Sequence, residues 1–133
     1  MTKVAFVSFR LKALDGVSAE AEKWINVFEQ WGCEVHRVAG HIPDAAENDH
    51  VISELNYIDP QVESLTEMAF DPGQDRKIVE REFARLKEEI ERRLIPELND
   101  IAPDVVVVEN VFSLPLNLPF TAVLCRYLED ADV

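Results

Sequence analysis

A chain of 133 residues with 47% hydrophobic and 29% charged side chains suits one globular domain, able to bury about two-thirds of its unfolded surface. Its 26 acidic residues outnumber 13 basic ones, a formal net charge of -13, and that field repels nucleic acid phosphates and anionic membrane surfaces. No apolar run approaches the ~20 residues of a membrane span, and Met1-Thr2-Lys3 leads into a strand pattern without the layout of a signal peptide.

Lys3-Val4-Ala5-Phe6-Val7-Ser8-Phe9 is a nearly continuous apolar run, the pattern of a strand covered on both faces. Periodicity is lost between Arg10 and Val17, where Gly16 is expected to supply a turn and Ser18 to cap the helix that follows. Ala21, Trp24, Ile25, Phe28 and Trp31 then share one helical face, with Glu20 and Glu22 read as first-turn acids and Gly32 as the stop. Cys33–Ala39 alternates as a second strand closed by Gly40. Strand, helix and strand make a βαβ unit.

From His41 to about Gln74 the pattern is weakest, with a turn at His41-Ile42-Pro43-Asp44 and short helical pieces expected near 49–56 and 60–70. Asp71-Pro72-Gly73 breaks the chain again. Ile78, Val79, Phe83, Leu86, Ile90, Leu94 and Leu98 recur at helical steps, with Glu88–Arg92 and Glu89–Arg93 as possible pairs and Pro96 as a kink or end. Asp104–Asn110, with four consecutive valines, reads as a central parallel strand. A proline-bearing apolar segment, 113–119, leads into a final helix. Cys33 and Cys125 lie far apart without metal-like spacing and are expected to be buried, free and reduced, which suits a cytoplasmic compartment.

Ligands of open parallel sheets bind beyond the carboxyl ends of the strands. Three such ends are visible: Phe9 to Ser18, Gly40 to Asp44, and Glu109 to Ser113. Gly16 would let a ligand approach the backbone, the amides of Val17, Ser18 and Ala19 would point from a helix N-terminus, and Arg10 would add positive charge. The competing reading of these residues is a plain turn and cap. His41 follows the second strand, and Glu109 and Asn110 end the last one. Gly16 stands alone, so the dinucleotide fingerprint is absent, as is a phosphate-loop lysine motif. His36, His41 and His50 are scattered in sequence, and neither a metal nor another cofactor is expected.

Arg10-Leu11, then Asp15-Gly16-Val17-Ser18-Ala19-Glu20, Trp24 and Trp31-Gly32-Cys33-Glu34-Val35, with Gly40 closing the second strand, resembles the opening of family-four glycosyltransferases. Trp31 and Cys33 replace a usual leucine and histidine at what are read as packing positions. Val108-Glu109-Asn110 with Leu114-Pro115-Leu116-Asn117 is similar to a subgroup of that family; the 44–100 region matches poorly. The resemblance implies a Rossmann-like three-layer domain, with a short parallel sheet (strands near 3–9, 33–39 and 104–109), flanking helices and a helical insertion at about 44–100. It would be the incomplete N-terminal, acceptor-side half of a two-domain GT-B enzyme.

The implied reaction is transfer of a sugar from a nucleotide-sugar donor to an unknown acceptor, retaining configuration and needing no metal. Gly16 and Val17 would contact the donor phosphate, and Arg10, Asp15, Ser18, His41, Glu109 and Asn110 would line the acceptor side. Without the donor half the chain is expected to be an inactive fragment. The alternative is a non-catalytic acidic α/β interaction module docking through the 75–98 helix or a sheet edge, with self-association through exposed faces. An acidic receiver domain is disfavoured, because Ser8-Phe9-Arg10 brings no carboxylate to the first strand end.

Overall fold

A computed structural model describes residues 1–133. Strands β1 (Lys3–Ser8), β2 (Glu34–Ala39), β3 (Asp49–Val51) and β4 (Val105–Glu109) form one parallel sheet in the order β3-β2-β1-β4. Helix α1 (Gly16–Gln30) joins β1 to β2; α2 (Pro60–Ala69), α3 (Arg76–Ile101) and α4 (Leu118–Asp130) complete the chain. The three expected strands and the Rossmann-like α/β architecture are present.

Side chains of β1 alternate between two cores. Val4 and Phe6 pack with Ala21 and Ile25 of α1 and with Val35 and Ala39 of β2. Ala5 and Val7 join Val38, Ile90, Leu94 and Leu98 of α3, and Phe120, Val123 and Leu124 of α4. Helices thus cover both faces, which is why β1 is apolar throughout. A smaller cluster, Leu65, Val79 and Leu86, holds α2 on the first half of α3.

Several sequence expectations are corrected. The valine strand β4 pairs only with β1 and lies at the sheet edge, because the chain returns to the far side of β1 after β3. The 49–56 segment forms β3 and a 3-10 turn, Ser53–Leu55, instead of a helix. Pairing Arg37 with Asp49 and Ala39 with Val51 satisfies its backbone better than an isolated helical turn would.

Helix α1 is capped by Asp15, not Ser18. The Asp15 backbone is extended, and one carboxylate oxygen accepts the Ser18 N–H at 2.8 Å while the other accepts the Ser18 hydroxyl at 3.0 Å. Two acceptor oxygens let Asp15 satisfy what a serine cap could not. Gly16 is therefore the first helical residue, not a turn, and Glu20 and Glu22 fall beyond the first helical turn. Gly32 does end the helix, with φ at +81°.

Of the expected apolar face of α1 only Ala21 and Ile25 are fully buried; Trp24 is exposed, and Trp31 is 71% exposed and packs in a T-shape with Phe28. A stripe i, i+4 wide covers the sheet, and residues seven apart at its margin fall outside it. Trp31 is thus not a packing position. Helix α3 runs through Pro96 and ends at Ala102, which takes a left-handed backbone. Ile78 is exposed. Arg92 pairs with Glu89 at 2.5 Å and Arg93 with Glu54, so neither expected i,i+4 pair forms. Cys125 lies on the outer side of α4, away from the Phe120–Val123–Leu124–Tyr127 stripe, and is exposed; Cys33 is half-buried, and both are free. No helix is long and apolar enough to cross a membrane.

Asn117 locks α4 in place. It is fully buried, its Oδ1 accepts the Phe120 N–H at 3.2 Å, and its Nδ2 donates to the carbonyls of Glu54 at 2.8 Å and Leu55 at 3.1 Å. Replacing it with alanine removes a helix cap and strands the buried Leu55 carbonyl and the part-buried Glu54 carbonyl, so Asn117→Ala is expected to cost about 2–3 kcal/mol, read as a lowered urea midpoint with unchanged slope.

Candidate functional site

The strand order reverses at β1: the chain proceeds outward through β2 and β3, then returns to place β4 on the opposite side. At such a switch point the loops after two neighbouring strands part and leave a crevice. Here those loops are 9–15 and 110–117. A cavity of about 110 Å³ opens between them, lined chiefly by Phe9, Arg10, Asp15, Val17, Tyr57 and Asn110.

Each wall has a local cause. Phe9 packs edge-on against Tyr57 at 5.6 Å and Phe120 at 6.1 Å, which anchors the β1 end to both the 52–58 segment and α4. Arg10 places its guanidinium carbon 5.5 Å from the Tyr57 ring centre and its Nε 3.1 Å from an Asp15 carboxylate oxygen. An arginine held on two sides this way is pre-oriented for an anionic or hydroxylated ligand. Asn110 takes a left-handed backbone (φ +65°) that asparagine tolerates, and its carbonyl accepts the N–H groups of Ser113 and Leu114.

Asp15 anchors this wall. Burial pushes its carboxyl up, but the Ser18 N–H and hydroxyl, followed by Arg10 and the Val17 N–H, outweigh burial and hold it below the ordinary aspartate value. The same contacts revise the expected donor set at the helix N-terminus. The Ser18 N–H is taken by the Asp15 side chain and the Ala19 N–H by the Asp15 carbonyl, whereas the Gly16 N–H takes no partner within the protein. A Cβ added at Gly16 would meet open space.

Of the residues singled out from sequence, Arg10, Asp15, Val17 and Asn110 come together on the crevice, with Gly16 beside them at the start of α1. The Ser18 side chain is buried and committed to Asp15. His41 is exposed and borders a separate hollow of about 250 Å³ with Gly40, Ser53, Asn56, Ile58 and Asp59. Glu109 is half-buried and does not line the crevice; burial, then the negative charge of Glu20, pushes its carboxyl up. Tyr57 was not foreseen, because it follows a 3-10 turn in the stretch with the least periodicity. Its neighbours Asn56 and Asp59, both turn formers, are the one local hint that the chain bends there.

The fold and crevice define a class: a Rossmann-like α/β domain with an open crevice at the β1/β4 switch point. A particular relative narrows it. Over 116 residues, 86% of this chain, the sequence is 33% identical to the mannosylglucosylglycerate synthase of Thermotoga maritima. The match takes in 26% of that protein, so the chain spans about a quarter of its curated relative. No protein-family profile and no solved structure matches the chain.

Proposed function

We propose that residues 1–133 act as one Rossmann-like domain, with helices α2 and α3 inserted between β3 and β4, on the acceptor side of a GT-B glycosyltransferase. That enzyme would transfer a sugar from a nucleotide-sugar donor to a small hydroxylated acceptor, with the donor-binding half supplied by sequence outside this chain. The observation that carries the reading is the coincidence of the β1/β4 crevice with the 33% identity to a synthase whose product is a glycosylated glycerate. Arg10, Asp15 and Asn110 present a cation, a carboxylate and an amide around one opening, a set that can hydrogen-bond sugar hydroxyls or an acid group. Gly16 and Val17 take the donor phosphate, with the free Gly16 N–H at the positive end of α1 and Arg10 offsetting the charge of Asp15. His41 borders a separate hollow and Glu109 does not line the crevice, so neither is assigned a contact with donor or acceptor.

Amide-shift mapping on the isotopically labelled chain tests this, with GDP-mannose, UDP-glucose and glucosylglycerate as separate probes. The expected shifts cluster on Arg10, Asp15 to Ser18, Asn110 and Leu114. Because a side chain at Gly16 enters open space, Gly16→Val should unfold within about 2 °C of the parent, by the usual scale of stability shifts, while losing the shifts caused by the nucleotide sugars. Absence of shifts at these residues at millimolar probe would overturn the proposal; unchanged nucleotide-sugar shifts in Gly16→Val would remove Gly16 from the site.

A further inference from the structure

Histidines that are scattered in sequence meet on the face of the sheet covered by α3, far from the crevice loops in sequence. The His36 ring on β2 and the His50 ring on β3 lie with centres 5.3 Å apart, and His36 Nδ1 is 3.0 Å from His50 Nε2. Their outer nitrogens are both occupied. His36 Nε2 lies 2.7 Å from Glu34 Oε1, and His50 Nδ1 lies 2.8 Å from Glu97 Oε2 on α3. The result is a four-membered line, Glu34–His36–His50–Glu97, running across β2 and β3 to α3.

Counting protons along this line leaves little freedom. A carboxylate can only accept, so His36 Nε2 and His50 Nδ1 must each carry a hydrogen. Glu34 is held below the ordinary glutamate value, first by its hydrogen bond to His36 and further by Lys3 and the N-terminal amine, so it does not supply the proton itself. If both rings were neutral, the two inner nitrogens would present lone pairs to each other at 3.0 Å. If both were cationic, two N–H groups would collide. One proton between the inner nitrogens satisfies both rings, giving three protons on four nitrogens and a single positive charge between two carboxylates.

We propose that His36 and His50 share one extra proton as a single cation, and that this cation is a pH-sensitive clamp fastening α3 to the β2–β3 side of the sheet. The groups that face it are Glu34 on its own strand, Glu97 on α3, and Lys3 of β1 with the N-terminal amine acting through Glu34. Asp49, next to His50, is engaged instead with Lys12 and Arg37. β4 and α4 contribute no hydrogen-bonding or ion-pairing group.

In an unfolded chain each ring titrates independently near ~6.5. Folding favours the three-proton state, so stability follows the proton balance in two directions. Raising the pH removes the shared proton and loses the bond it makes. Lowering the pH adds a fourth proton, which sets N–H against N–H and then protonates the carboxylates. The clamp therefore contributes most near neutrality and less on either side.

Two measurements test it. Long-range nitrogen–proton NMR on the intact chain at about pH 7 should show His36 Nε2 and His50 Nδ1 protonated and the inner pair averaged between protonated and free. Two neutral rings, each carrying one hydrogen, would overturn the proposal without any variant. Thermal unfolding from about pH 5 to about pH 9 should show a Tm gap between the parent and His50→Gln that is widest near neutral pH and narrows by about 3–5 °C toward each end. A gap that does not change with pH would overturn it as well. Should His50→Gln fail to fold, the NMR measurement on the parent decides alone.

Discussion

Gly40→Ala is expected to lower the stability of the domain by about 3 kcal/mol or more. A Cβ at this position would stand 2.1 Å from the Asn56 backbone nitrogen, 2.5 Å from its Cβ and 2.6 Å from its Cα. These are backbone and near-backbone atoms, so no side-chain rotation relieves the overlap. The Asn56 segment cannot simply retreat, because β2 and its surroundings hold it from several sides. The Ile52 N–H donates to the Ala39 carbonyl at 2.9 Å, the Gly40 N–H to the Phe9 carbonyl at 2.9 Å, and Leu55 is fully buried one residue before Asn56. Chemical denaturation checks the expected loss. A variant that folds nonetheless must have pushed Asn56 outward and carried Tyr57 off Phe9 and Arg10, so its near-ultraviolet circular dichroism should change and crevice binding should weaken. A midpoint equal to the parent's would show that the close approach at Gly40 is not rigid.

The second large effect is expected at Asp49, whose side chain is 1% exposed and receives Lys12 at 2.5 Å and Arg37 at 3.2 Å. The Ala46 N–H adds a third bond at 2.9 Å, and Arg37 is also held by both carboxylate oxygens of Glu22. Asp49→Ala leaves two cations, one of them largely buried, without their shared anion, which typically costs about 3–5 kcal/mol. Asp49→Asn keeps the Ala46 bond and should cost less. The pH dependence separates the two effects. Burial pushes the Asp49 carboxyl up, but the Ala46 N–H, Lys12 and Arg37 together hold it below the ordinary value. A carboxyl depressed in the folded state contributes stability above its unfolded value of ~3.9 and loses it as the pH falls through the lower folded value. The parent should therefore lose stability steeply below about pH 4, whereas Asp49→Asn should lose less over the same interval. Equal acid slopes for both proteins would remove Asp49 as a source of acid sensitivity. Asp15, depressed through Ser18 and Arg10, adds to the same acid limb.

These two positions illustrate different degrees of legibility. Gly40 stands out in sequence only as the end of a strand; that its missing side chain makes room for Asn56, sixteen positions on, is a long-range fact. Asp49 reads as one more acid in an acidic stretch, and nothing local shows that Lys12 and Arg37 converge on it. The crevice divides in the same way. Arg10, Asp15, Val17 and Asn110 could be proposed because each lies in the stretch that follows an apolar strand run, the side on which parallel folds bind ligands. Tyr57 could not, since it reaches the crevice from a segment whose strand β3 has three residues and whose pairing with β2 decides its path.

By itself the sequence determined the β1–α1–β2 unit, the extents of α2 and α3 to within a few residues, and the stop at Gly32. Those features rest on turn chemistry and on repeats of two or 3.6 residues, which neighbouring residues carry. Only the tertiary structure decided that β4 is an edge strand, that 49–51 pairs with β2, that Asp15 and not Ser18 caps α1, and that His36 meets His50. The first two depend on strand order and the last on which side chains two strands and a helix bring within 3 Å. Asp15 prevailed over Ser18 because a carboxylate accepts two hydrogen bonds there and, at the same time, receives Arg10 from the preceding strand end.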